Sequence, residues 1–97
     1  MKLSKQDLQK IKKILRQHDV NRADLFGSYA RGDANKRSDI DILIEFNNNS
    51  KKTLFDLSGL KISLQDELKK KFDVVPFTSV NHLLKPYIMK DKKPLLK

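Results

Sequence analysis

Ser38-Asp39-Ile40-Asp41-Ile42-Leu43-Ile44-Glu45-Phe46 is the stretch from which the fold can be read. Side chains alternate along an extended chain, so Ile40, Ile42, Ile44 and Phe46 share one face and Asp39, Asp41, Leu43 and Glu45 the other. The first face needs a hydrophobic partner. The second carries two carboxylates about 7 Å apart along the strand. Two negative groups so placed repel, and one takes a raised pKa unless a cation lies between them. Hard oxygen donors of this kind suit Mg2+, which keeps several waters and adds substrate phosphates to its shell. The plainer alternative is an ordinary solvated acidic face.

Upstream stands Leu25-Phe26-Gly27-Ser28-Tyr29-Ala30-Arg31-Gly32. Ala23–Phe26 reads as a short strand, Ser28 to Gly32 as a helical turn, and Asp33–Ser38 as a polar loop. Gly27 puts no side chain between backbone and ligand. Ser28 adds a hydroxyl and, at the start of a helical turn, N–H groups aimed at an anion. Ser28 as a simple cap is the alternative. For Arg31 an ion pair with Asp33 or with Asp24 is the plain reading. Farther upstream, Ser4 and Asp7 resemble a capping box that opens a helix. Leu8, Ile11, Ile14 and Leu15 recur in it at helical spacing, and it should end near His18.

Downstream, Asn47–Ser50 reads as a turn or loop. A second helix runs from about Thr53 to Lys70, with Leu57, Leu60, Leu64 and Leu68 as its apolar stripe. Gly59 sits inside it at a cost of about 1 kcal/mol relative to Ala. Phe72–Phe77 reads as a third strand, with Pro76 confining it to an edge or an end. Asp73 points away from Phe72 and Val74. If this strand neighbours Asp39–Phe46, three carboxylates converge on one sheet face, the layout for paired divalent ions that clamp the oxygens of a phosphoryl displacement. A short helix over Asn81–Leu84 and an irregular tail around Pro86 and Pro94 complete the chain. The order predicts a small α/β (α+β) fold, a mixed sheet with helices packed against it.

Ninety-seven residues predict one domain with one core. The absence of cysteine excludes disulfides, thiolate zinc sites and cysteine nucleophiles. No apolar run reaches a membrane span and the first residues lack a secretory signal's apolar stretch, so no membrane partner and a cytoplasmic location are expected. The formal charge of +9 favours phosphates or acidic surfaces. Most of the cations are lysines spread along the chain, as on a solvated face. Arg31–Glu45 reverses the balance, with four acids against three cations, and there a metal is expected. His18 and His82 form no metal-spaced pair, and Tyr29 and Tyr87 read as packing or interface residues. No aromatic RNA-binding motif is present, so nucleic acid is not expected as a direct substrate.

The joint pattern Gly27-Ser28, ten residues, Asp39-x-Asp41 resembles the signature of the minimal nucleotidyltransferases of the DNA polymerase β superfamily. The resemblance continues through Thr53–Leu60, Phe72-Asp73-Val74-Val75 and Leu84-Lys85-Pro86-Tyr87-Ile88, so it covers nearly the whole chain. It implies a nucleotidyltransferase fold over a single domain, residues 1–97. It implies nucleotide binding at Gly27, Ser28 and Arg31, with Asp39, Asp41 and Asp73 as catalytic groups and ligands of two Mg2+ ions. Larger relatives carry a further domain for nucleotide or acceptor, for which 97 residues leave no room, and this points to a partner. Minimal members commonly pair with a helical HEPN ribonuclease toxin. The implied function is Mg2+-dependent transfer of AMP from ATP to a tyrosine hydroxyl of that toxin, by an antitoxin in a hetero-oligomer with it. Added phosphate would repel RNA from the toxin. The alternatives are a binding-only antitoxin and transfer to a small molecule.

Overall fold

In the computed structural model, residues 2–47, 53–79, 86 and 90–96 are described. The apolar face of the decisive strand, β2 (Ile40–Phe46), is covered by two helices, α1 (Lys5–Gln17) and α3 (Leu54–Leu68). Ile40, Ile42 and Ile44 are each at most 1% exposed, and they pack with Ile11 and Leu15 of α1 and Leu60, Leu64 and Leu68 of α3. Both helices begin on reciprocal capping boxes. Asp7 N donates to Ser4 Oγ at 3.0 Å, and Thr53 N donates to Asp56 Oδ2 at 2.7 Å. Each satisfies backbone N–H groups that a helix start otherwise leaves orphaned.

The sheet has the order β3-β2-β1-β4, with β1 (Val20–Phe26), β3 (Phe72–Pro76) and β4 (Lys93–Leu96) around β2. It is mixed, as the sequence predicts. β1 runs antiparallel to β2 and β4, whereas β2 and β3 are parallel. A parallel pair needs a crossover, and α3 supplies it. Register continues the apolar face across the sheet: Leu25 lies opposite Ile42, which lies opposite Val74. A four-residue helix, α2 (Ser28–Arg31), and a 3-10 turn, Phe77–Ser79, complete the described elements. Among the described residues no helix is long and apolar enough to cross a membrane.

Four expectations need correction. The first strand begins at Val20 rather than Ala23, because Val20 pairs with Phe46 across a register shift that polar Asn21 and Arg22 hide in sequence. The third strand stops at Pro76, and Phe77 enters the 3-10 turn. The second helix ends at Leu68 because Lys69 takes a left-handed conformation, φ 56°. The tail is not irregular at Pro94. It forms β4, tolerated because this is an edge strand where a missing N–H costs no ladder bond. Pro76 does mark an edge strand, as expected. The short helix expected over Asn81–Leu84, the turn residues Asn48–Ser50, His82 and Tyr87 lie outside the described residues.

Candidate active site

On the face of the sheet opposite the helices, strand register places Phe26, Asp41 and Asp73 in one row. Asp41 and Asp73 are direct neighbours on parallel strands, so the adjacency that the sequence left conditional is present. Asp39 lies two residues before Asp41, at the entry to β2. That entry is fixed from both sides. Ser38 N donates to Asn35 O at 3.1 Å, Asn35 N donates to Ser38 Oγ at 2.9 Å, and Ile40 N donates to Lys71 O at 2.9 Å. Asp39 and Asp73 are exposed, and Asp41 is half-buried.

Immediately after Phe26 the chain turns at Gly27, with φ 73° and ψ −153°. A side chain there would overlap Asp41 Oδ2. Only glycine allows both this positive φ and so close an approach of backbone to carboxylate. Ala30 N and Arg31 N donate to Gly27 O at 3.1 and 3.0 Å, and Gly32 N and Asp33 N donate to Ser28 O at 2.9 and 3.0 Å. The short helix predicted from Ser28 to Gly32 is therefore formed, with Gly32 as its left-handed cap. Among the described residues no side chain caps its start, so the first N–H groups of α2 stay open beside Asp41.

Electrostatics tie the three carboxylates together. The Asp41 carboxyl is pushed up to about 6, first by burial, then by the negative charges of Asp73 and Asp39, with Arg31 opposing. A cation would relieve this repulsion, and oxygen donors suit a hard ion. Among the described residues no three carboxylates or imidazoles stand close enough to enclose an ion by themselves. Mg2+ does not need such a cage, because one or two carboxylates plus substrate phosphates complete its shell. The donor set therefore fits an ion that arrives with a phosphate.

Arg31 ends beside two acids: Nε lies 3.2 Å from Asp33 Oδ2 and Nη1 lies 3.8 Å from Asp91 Oδ2. Of its two candidate partners in sequence, Asp33 is taken and Asp24 is not. Asp24 pairs instead with Arg22 at 3.6 Å and Lys92 at 3.7 Å. It is 3% exposed, its Oδ2 accepts no hydrogen bond, and it sits on the same sheet face as Asp41. In sequence Asp24 reads only as an alternative partner of Arg31, although as the one charge inside the apolar run Ala23–Phe26 it already signals a buried carboxylate. Leu43, next to Asp24 in register, is 1% exposed, so this face is not polar throughout.

A mixed sheet backed by two helices, with a glycine corner beside facing carboxylates, is the architecture to compare with known proteins. Residues 8–96 match the nucleotidyltransferase domain family, and the chain belongs to that family of enzymes. It is 45% identical over 87 residues to a Methanocaldococcus jannaschii protein provisionally named a protein adenylyltransferase, covering 90% of this chain and 91% of that protein. Its structure is similar to a chain of a toxin–antitoxin crystal structure with AMP-PNP (TM-score 0.78, 28% identity, 91% of this chain and 71% of that chain). It is also similar to a chain of the Shewanella oneidensis complex of tri-AMPylated HEPN toxin with MNT antitoxin (TM-score 0.71, 25% identity, 93% and 69%).

Proposed function

We propose that this protein transfers AMP from ATP to a tyrosine hydroxyl of a HEPN ribonuclease toxin and so acts as its antitoxin. The observation that carries this reading is the row in which Asp41 and Asp73 face each other beside Gly27-Ser28, with Asp39 within electrostatic reach. Similarity to a provisionally named adenylyltransferase and to complexes holding an ATP analogue or an AMPylated toxin supports it.

Asp39, Asp41 and Asp73 would hold Mg2+. Bound there, the metal neutralises phosphate charge and lowers the pKa of the acceptor hydroxyl. The Gly27-Ser28 corner receives the triphosphate, with backbone able to approach because Gly27 has no side chain. Asp73 orients the tyrosine hydroxyl in line with the α-phosphorus and accepts its proton. The new bond joins the tyrosine oxygen to the α-phosphorus. The bond to the bridging oxygen breaks, and pyrophosphate leaves past Ser28, where the positive field of Arg31 favours it. The product carries a phosphodiester charge where the toxin would otherwise meet RNA phosphates.

The test is a double variant, Asp39→Asn with Asp41→Asn, co-expressed with a candidate helical toxin and given α-labelled ATP. We expect at least 100-fold less label on the toxin, with an unchanged circular dichroism spectrum. Label transferred at the wild-type rate would overturn the assignment. Protection of cells by the inactive variant would show that binding alone neutralises the toxin.

A further inference from the structure

The lysines that read in sequence as a dispersed, solvated background converge in the fold. Lys36 and Arg37, from the loop before β2, face one cavity of about 650 Å3 together with Lys69, Lys70 and Lys71 from the turn between α3 and β3. Tyr29 and Ser38 complete its lining. An adjoining cavity of about 460 Å3 shares the three lysines, adds Lys61, and reaches Asp39. Among the described residues these six cationic side chains form no ion pair, whereas Arg22, Arg31 and Lys92 each do.

A purely structural reason covers only part of this. Cations near the end of α3 complement its dipole. That accounts for Lys69, Lys70 and Lys71 but not for Lys36 and Arg37, which approach the same hollow from another element. Lys69 itself occupies a left-handed cap, φ 56°, where glycine is the favoured residue. The chain keeps a long cation at a position whose backbone prefers none.

We propose that this cleft is a docking groove for single-stranded nucleic acid. Lys36, Arg37 and the lysines of the turn pair with successive phosphates, Arg37 being suited to a forked contact. Tyr29, packed in part against the core, turns the rest of its ring into the cleft, where a base stacks, and the Ser38 hydroxyl, which accepts from Asn35 N, keeps its own proton to donate. The combination separates the proposed occupant from an acidic peptide, which would use the cations and leave the ring idle. The cleft adjoins the proposed catalytic site through Asp39, but its cations have no role in the transfer step.

The experiment is fluorescence anisotropy of the full chain with a labelled 12-nucleotide oligoadenylate across a salt series. With four or five phosphates neutralised, log affinity should fall with log salt at a slope of about −3. Lys69→Gly should bind several-fold more weakly, flatten the slope by about 0.7, raise the melting temperature and leave AMP transfer unchanged. Lys36→Ala with Arg37→Ala should weaken binding at least tenfold. Lys12→Ala with Lys13→Ala, which removes the same charge from α1, should leave it within twofold. Asp41→Asn should keep full affinity, so loss of transfer and loss of oligonucleotide binding are read separately. Equal weakening by the α1 and cleft variants would overturn the proposal. So would competition by polyglutamate of equal length as effective as unlabelled oligoadenylate, or complete displacement by ATP.

Discussion

The two faces of β2 are built from alternate residues of one seven-residue strand, yet they obey opposite rules. On the helix side, Ile40, Ile42 and Ile44 are sealed against α1 and α3, and their contribution is burial. On the other side, Asp41 faces Asp73, the charge of Arg31 only partly opposes burial and the two neighbouring carboxylates, and its own charge is unfavourable. One face spends nothing on chemistry and holds the fold. The other gives up stability to a negative cluster, the one to which the proposed function assigns a cation and a phosphate. Substitutions at Ile40, Ile42 and Ile44 should therefore act through stability, and substitutions at Asp41 and its neighbour Gly27 through the site, whereas Leu43, buried on the Asp41 face, belongs with the first group.

The largest effect is expected on the apolar face. Ile42→Ala should cost about 3 kcal/mol through lost burial and the cavity left behind. In a domain of this size that lowers the melting temperature by about 10–20 °C. Calorimetry checks the fall, and the transfer rate per folded molecule should hold. A stable Ile42→Ala protein would show that the helices do not depend on this face.

Gly27→Ala joins the two faces' rules. The positive φ costs about 1–2 kcal/mol, and the new Cβ must displace the Asp41 carboxylate. Transfer should fall further than stability does, as paired urea titrations and label assays would reveal.

Asp41→Asn should move stability the other way. The folded carboxyl titrates near 6 and the unfolded one near 3.8, so between those values the native state binds more protons than the unfolded chain. Stability of the metal-free protein thus falls as pH rises from about 4 to 6, and the loss is complete at pH 7. Allowing for the partial exposure of Asp41, the penalty is about 1 kcal/mol. The variant should be more stable than wild type at pH 7 by that amount and should lose this pH dependence. Added Mg2+ should raise the melting temperature of the wild type and not of the variant. A wild type that grows more stable across that pH window would contradict the repulsion inferred for this face.

The smallest effect lies on neither face. Ser4→Ala removes the capping-box acceptor of α1 and should cost about 0.5–1 kcal/mol, with transfer intact.

Much of this contrast was legible in the residues. The period-two pattern of Asp39–Phe46, the turn opened by Gly27 and closed by Gly32, and the capping box at Ser4 are short-range features, fixed by neighbours within a few positions. The stripe Leu60, Leu64 and Leu68 was legible for the same reason. The β4 strand was hidden because proline in a lysine-rich tail carries no strand signal, and its pairing with β1 comes from residues some 70 positions away. Asp24 was assigned to Arg31 rather than to Lys92 because its ion pair with Lys92 exists only once that pairing forms.

The sequence by itself determined which side chains share a face, where the helices begin, and that an acidic pair follows a glycine corner. Those facts depend on backbone geometry over a few residues. Tertiary structure alone decided that Asp73 stands opposite Asp41, that Asp41 is half-buried, and that Lys36 and Lys69 border one hollow. Strand order and register join segments more than thirty residues apart, and only the packing of the whole core selects among the pairings that local pattern permits.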